Sequence, residues 1–152
     1  MKAFTYKLLL ALFPILLLSC SHNNGGPHEL YGTWQLESIE IDGKTVNTYQ
    51  GNFFWKFQAD IILIQEVDDI SHSYKDHFGT YSYSENNNTL TLSFIHSDND
   101  NPASTGQYSP PQGIFITEPV TVLDILTLKG KTLTLQFTAP SGQQYIYNLS
   151  RR

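Results

Sequence analysis

The sequence predicts an all-β domain, an antiparallel barrel of about eight short strands, set behind an N-terminal export signal. Three features predict it. Apolar and polar residues alternate with period two in run after run, as in residues 89–95, where Leu90, Leu92 and Phe94 take one face and Thr89, Thr91 and Ser93 the other. Turn-forming groups punctuate these runs at short spacing: Asp42-Gly43, Glu85-Asn86-Asn87-Asn88, Lys129-Gly130-Lys131 and Pro140-Ser141-Gly142. No long stretch carries a helical period, and the many Tyr and Phe residues suit a pleated, half-buried surface.

The first element is the signal, residues 1–19. Lys2 and Lys7 precede residues 8–18 (LLLALFPILLL), which are apolar throughout. That run is shorter than the roughly 20 residues a bilayer span needs, so it reads as a secretory signal. It ends in Leu17-Leu18-Ser19-Cys20, with Leu at −3 and a small residue at −1. This resembles the lipobox of bacterial lipoproteins. The resemblance implies that the Cys20 thiol takes a diacylglyceryl group, that cleavage falls before Cys20, and that two or three acyl chains such as palmitate hold the protein on a lipid bilayer. Cys20 is the only cysteine, so it has no internal disulfide partner, and lipidation removes an otherwise exposed thiol. Residues 20–28 are polar and Gly-rich and read as a flexible tether to the domain at 29–152. Ser21 is not the aspartate that retains some lipoproteins at the inner membrane, which points to an outer-membrane anchor facing the periplasm, with the cell surface as the alternative.

The domain opens with an alternating run at 30–41 that places Trp34 and Leu36 on one face. After the Asp42-Gly43 turn, Phe53, Trp55, Phe57 and Ala59 share a face of the next strand. Residues 61–64 are apolar on both sides, so either something covers the outer side or the chain bends. Gly79, Tyr81 and Tyr83 line up within a strand at 78–84, followed by the strand at 89–95. Residues 96–113, with Pro102, Pro110 and Pro111, read as a long loop, functional or disordered. Strands resume at 124–128, then with Leu133, Leu135 and Phe137 on one face, then with Tyr145, Tyr147 and Leu149.

The chain has 152 residues and a formal charge of −5, and removal of the two signal lysines leaves the mature domain more acidic still. That excludes a nucleic-acid groove, which needs clustered Lys and Arg against phosphates. The densest ionisable cluster is Asp68, Asp69, His72, Asp76 and His77. Its spacing fits no established zinc pattern, and it reads as a solvated loop between strands. Asp98-Asn99-Asp100-Asn101 hints at a calcium loop but lacks the Gly and the closing Glu. No nucleophile–base arrangement or phosphate loop is evident, so neither an enzyme nor a cofactor is expected.

Gly32-Thr33-Trp34 on the first strand, the hairpin at 124–137 and the Tyr145-x-Tyr147-x-Leu149 strand resemble lipocalins. Together with the lipobox they resemble the small lipocalin-like lipoproteins of Bacteroidales-type bacteria over residues 29–152. The resemblance implies an eight-stranded barrel whose Trp34 closes one end, and an arginine set against that tryptophan, for which Arg151 and Arg152 are the candidates. It also implies a binding protein. The aromatic faces then become candidate ligand walls: Trp34, Trp55, Phe57, Tyr81, Tyr83, Phe94, Phe137, Tyr145 and Tyr147. Two readings follow. Either these rings hold a small apolar or amphipathic ligand, or they fill the barrel and the protein contacts another envelope protein through residues 97–113 or 61–64.

Overall fold

In the computed structural model, which describes residues 29–68, 70–95 and 108–152, one sheet accounts for every strand. The strands are β1 (Gly32–Ile41), β2 (Lys44–Thr45), β3 (Phe53–Gln58), β4 (Ile61–Asp68), β5 (Ser73–Ser84), β6 (Thr89–Ser93), β7 (Val120–Lys129), β8 (Thr132–Thr138) and β9 (Gln144–Arg151). Sequence neighbours pair antiparallel around the sheet from β3 to β9, and β1 closes it by pairing with both β3 and β9. β2 is a two-residue flap on the far end of β1. Eight strands therefore form the ring, and closure leaves it without a free edge.

Alternation sets the core. Trp34 and Leu36 of β1, Phe53, Trp55 and Phe57 of β3, and Ile62 and Ile64 of β4 are buried. So are Leu90 and Leu92 of β6, Leu123 and Ile125 of β7, Leu133 and Leu135 of β8, and Tyr147 and Leu149 of β9. A bulge between Leu36 and Ser38 shifts the β1–β9 register, so the inward row continues at Ile39 rather than Ser38. Gly79 permits β5 to approach β6: a Cβ there would lie 2.6 Å from the Ser93 carbonyl oxygen.

Several sequence boundaries need correction. β5 begins at Ser73, not Phe78, so Asp76 and His77 lie on a strand rather than in a loop. β7 begins at Val120, not Asp124. Ala59 does not continue the Phe57 face: β3 stops at Gln58, and Ala59 turns with φ +52° in the hairpin. The two apolar sides of 61–64 resolve into Ile62 and Ile64 inside and Ile61 half exposed outside. The signal, Cys20, the tether, Asp69 and the Asp98–Asn101 hint lie outside the described residues.

Tight hairpins at 59–60, 85–88 and 130–131 gather at one end of the barrel, where β1 also starts. The longer connections, including 42–52 and the described stretch 108–119, gather at the other. These are the closed and open ends.

Candidate functional site

At the closed end the indole of Trp34 is fully buried, and its Nε1–H donates to the Leu30 carbonyl at 2.8 Å. The Arg151 guanidinium lies 4.6 Å from the Trp34 ring centroid and donates to the Glu29 carbonyl. Arg151 is thus the arginine that the resemblance calls for. Arg152 instead sends its side chain outward to Glu37, at 3.6 Å. The planar cation on the ring face and the hydrogen bond tie the start of β1 to the end of β9.

The barrel axis is filled with side chains. Trp34, Leu36, Trp55, Ile62, Ile64, Leu92, Leu135 and Tyr147 all have 0% exposure, so no water-sized space touches them. Trp55 packs against Tyr147 (centroids 5.9 Å apart) and Phe57 (6.4 Å), and Phe57 meets Tyr81 edge-on at 5.0 Å. Phe94 is buried beside them, and Tyr83 packs half-buried on the rim of the core. The Trp55 Nε1 and the Tyr81 hydroxyl have no hydrogen-bond partner among the described residues. Burial pushes the Tyr81 pKa up to about 12.

The open end is stoppered by residues 108–119. A single 3-10 turn, Gln112–Ile114, carries Ile114 into the core, and Ile116 follows it. The Tyr147 hydroxyl donates to the Ile114 carbonyl at 3.1 Å, and burial raises its pKa. His77, inward on β5, places Nδ1 2.8 Å from the Ser109 carbonyl. Burial holds His77 below its ordinary value, against the opposing pull of that carbonyl. Phe115 takes a left-handed backbone (φ 64°), unusual for a bulky residue, and stacks on Tyr145 at 5.5 Å. Tyr145 in turn stacks on Phe137 at 5.8 Å.

Beside this stopper runs a groove of about 200 Å³, lined by Ile39, Val46, Tyr49, Phe53 and Phe115 and by the polar residues Thr48, Gln50, Asn52 and Glu66, with Gly113 at its floor. The Tyr49 hydroxyl fixes one wall: it donates to the Leu36 carbonyl at 2.7 Å and accepts from the Phe53 amide at 3.3 Å. A second groove of about 410 Å³ adjoins the first through Gln50, Asn52 and Glu66 and runs out past Lys75 and Tyr74. Glu66 continues the inward row Ile62, Ile64 on β4 and is half-buried. Among the described residues its carboxylate accepts no hydrogen bond and forms no ion pair.

The structure brings Phe137 and Tyr145 together at the mouth and leaves Trp34, Trp55, Phe57, Tyr81, Phe94 and Tyr147 below it in the packed interior. Sequence reasoning missed Tyr49, Glu66, Gly113 and Phe115. A signal existed in Gly113-Ile114-Phe115-Ile116, an apolar run inside a proline-rich loop. Among the described residues the ionisable cluster does not converge. Asp76 faces outward and accepts from Gln65 at 2.8 Å, while His77 faces inward. Asp68 serves the β4–β5 turn, accepting from Ser71 and Ile70, and these bonds lower its pKa.

Residues 15–140 match the model of the lipocalin-like domain family. The chain belongs to that family. A lipocalin-like protein from Bacteroides uniformis has the same fold at a TM-score of 0.55 and 19% identity, over 82% of this chain and 99% of that one. An uncharacterized protein from Bacteroides eggerthii matches at 0.53 and 18% identity, over 78% and 98%. No curated protein matches the sequence. In this lipocalin-like barrel the tryptophan end is sealed, and the grooves beside the stopper place aromatic walls and a carboxylate at the opposite end.

Proposed function

We propose that this lipocalin-like protein binds a small apolar or amphipathic molecule at its open end while anchored through acylated Cys20 to the outer membrane, facing the periplasm. The observation that carries the reading is the aromatic-walled groove beside a stopper that is itself buried in the barrel mouth. Burial against Tyr49 and Phe115 would supply affinity, and Gln50, Asn52 and Glu66 orientation. Barrels of this family typically hold small hydrophobic molecules, which supports the same class of ligand. The interior ring of Trp55, whose Nε1 has no partner among the described residues, forms a deeper wall that a ligand would reach by displacing Ile114.

Native mass spectrometry of the full chain, extracted from membranes in mild detergent, tests this. A low-mass adduct should accompany the protein and be lost in Gly113→Leu, because even a Cβ at this position would lie 3.0 Å from the Phe53 ring. An adduct that survives Gly113→Leu would place the ligand elsewhere. Labelled palmitate should enter the protein and be lost in Cys20→Ala.

A second reading, an envelope interaction protein with a filled barrel, draws on the packed axis and on an outer stripe where Val120, Val122 and Leu126 of β7 lie half exposed, with Ile95 beyond β6. A photo-crosslinker at Val122 that captures one discrete envelope protein in cells would favour it.

A further inference from the structure

We infer that the groove at the open end selects cationic ligands, small molecules carrying a protonated amine or quaternary ammonium on an apolar body, with Glu66 as the counter-charge. The inference rests on the mouth being the binding site. Four observations converge on it. Glu66 sits on the inward row of β4, so its carboxylate is held half-buried between the two grooves rather than in open solvent. Its Oε1 would lie 3.8 Å from a Cβ at Gly113 and so reaches the groove floor, next to the Phe53 ring. No cation meets it within 4.0 Å among the described residues, so its carboxylate is open to a ligand's ammonium group. The smaller groove has aromatic walls and no Lys or Arg in its lining, and aromatic faces attract ammonium groups.

Neighbouring charges agree with this. Lys75 is the cross-strand partner of Glu66 in register, yet its side chain is exposed and makes no ion pair with it. It would act as a weak competitor for the carboxylate. His77, one step further along β5, is buried and held toward its neutral form, so it does not supply a cation at neutral pH. The net charge of −5 draws cations toward the protein as a whole. An anionic ligand would meet Glu66 head-on, and a neutral one would gain at most a hydrogen bond from it.

Three probes of similar size separate the cases: phenethylammonium, 2-phenylethanol and phenylacetate, titrated calorimetrically at pH 7 into the full chain in non-ionic detergent. Phenethylammonium should bind about tenfold tighter than the alcohol, with phenylacetate weakest. Glu66→Gln should remove the preference for the amine, so that amine and alcohol bind alike. Lys75→Gln should tighten the amine. The urea midpoint of Glu66→Gln, measured alongside, reports any structural cost separately from selectivity. Equal binding of amine and alcohol by the unaltered protein, or an amine preference that survives Glu66→Gln, would overturn the inference. If the alcohol binds and Gly113→Leu abolishes it, the mouth site survives that failure. If none of the three probes binds, both readings fall.

Discussion

At the closed end of the barrel, Trp34 is roofed by Leu30 and Arg151, and its indole N–H is hydrogen-bonded. At the open end, a proline-flanked loop drops Ile114 and Ile116 into the core. That loop carries a bulky residue in a left-handed conformation and has the Glu66 carboxylate and a buried histidine beside it. Both ends are covered, but by different means. The closed end is sealed by groups that belong to the strands or adjoin them, so it opens only if the barrel opens. The open end is sealed by an inserted segment that belongs to no strand, tied to the wall by hydrogen bonds that include Tyr147 to Ile114, His77 to Ser109, Phe94 to Pro119 and Thr121 to Glu118. The stopper is therefore no part of the strand ladder, and we expect it to be released more readily than the wall.

The sharpest test of this contrast removes the closed-end anchor. Trp34→Ala should cost about 3–5 kcal/mol in urea unfolding, since it deletes a fully buried ring, the Leu30 hydrogen bond and the Arg151 stack together. Amide exchange should quicken throughout the barrel, because the loss falls on the whole wall. A change confined to residues near the N-terminus would show that the closed end is no more integral than the stopper.

Ile114→Ala makes the matching change at the open end. Its expected cost is smaller, about 2–3 kcal/mol, because the 3-10 turn can settle into part of the space. Its signature should be local. The Phe94 amide, bonded to the Pro119 carbonyl at 2.7 Å, should exchange faster while the Trp34 indole N–H stays protected. If both slow exchangers accelerate equally, the stopper is part of the cooperative core, and the contrast between the ends fails.

The same contrast explains what the sequence could disclose. The closed end was legible because its determinants are local: Gly32-Thr33-Trp34 on an alternating strand, and two arginines at the end of the last strand. Only the choice of Arg151 over Arg152 needed coordinates, and strand parity decides it, since Leu149 and Arg151 share the inward row. The barrel was legible for a similar reason, as period-two runs and turn residues specify hairpins directly. The open end was obscured by two physical facts. Residues 108–119 have no period, so the burial of Ile114 and Ile116 is a tertiary result that no propensity encodes. And β5 carries Lys75 and His77 on its inward face, which breaks the apolar alternation and made the strand read as a loop until Phe78. Glu66 was hidden likewise: it continues the Ile62, Ile64 row with a charge, where a polar residue usually signals the end of a buried face.

The smallest expected effect is a pH dependence, and it too distinguishes the ends. His77 is buried, and its folded pKa lies below the ordinary 6.5, with desolvation outweighing the Ser109 hydrogen bond and the nearby Glu66 and Asp76 charges. Between that lowered value and 6.5 the unfolded chain binds the proton more readily than the folded one, so stability is fully present above about 6.5 and falls as the pH drops through the folded pKa. The neutral ring donates from Nδ1 to Ser109, and it can keep that bond when protonated at Nε2, so the loss reflects only the cost of burying the charge. Urea midpoints taken from pH 8 downward should hold level and then decline, with the decline flattened in His77→Gln. Because the Ser109 carbonyl belongs to the stopper, mild acid should also speed exchange at the Phe94 amide before it affects the Trp34 indole, which lies at the opposite end of the barrel. A decline that persists in His77→Gln would assign the acid sensitivity to another group and leave the stopper without a titrating contact.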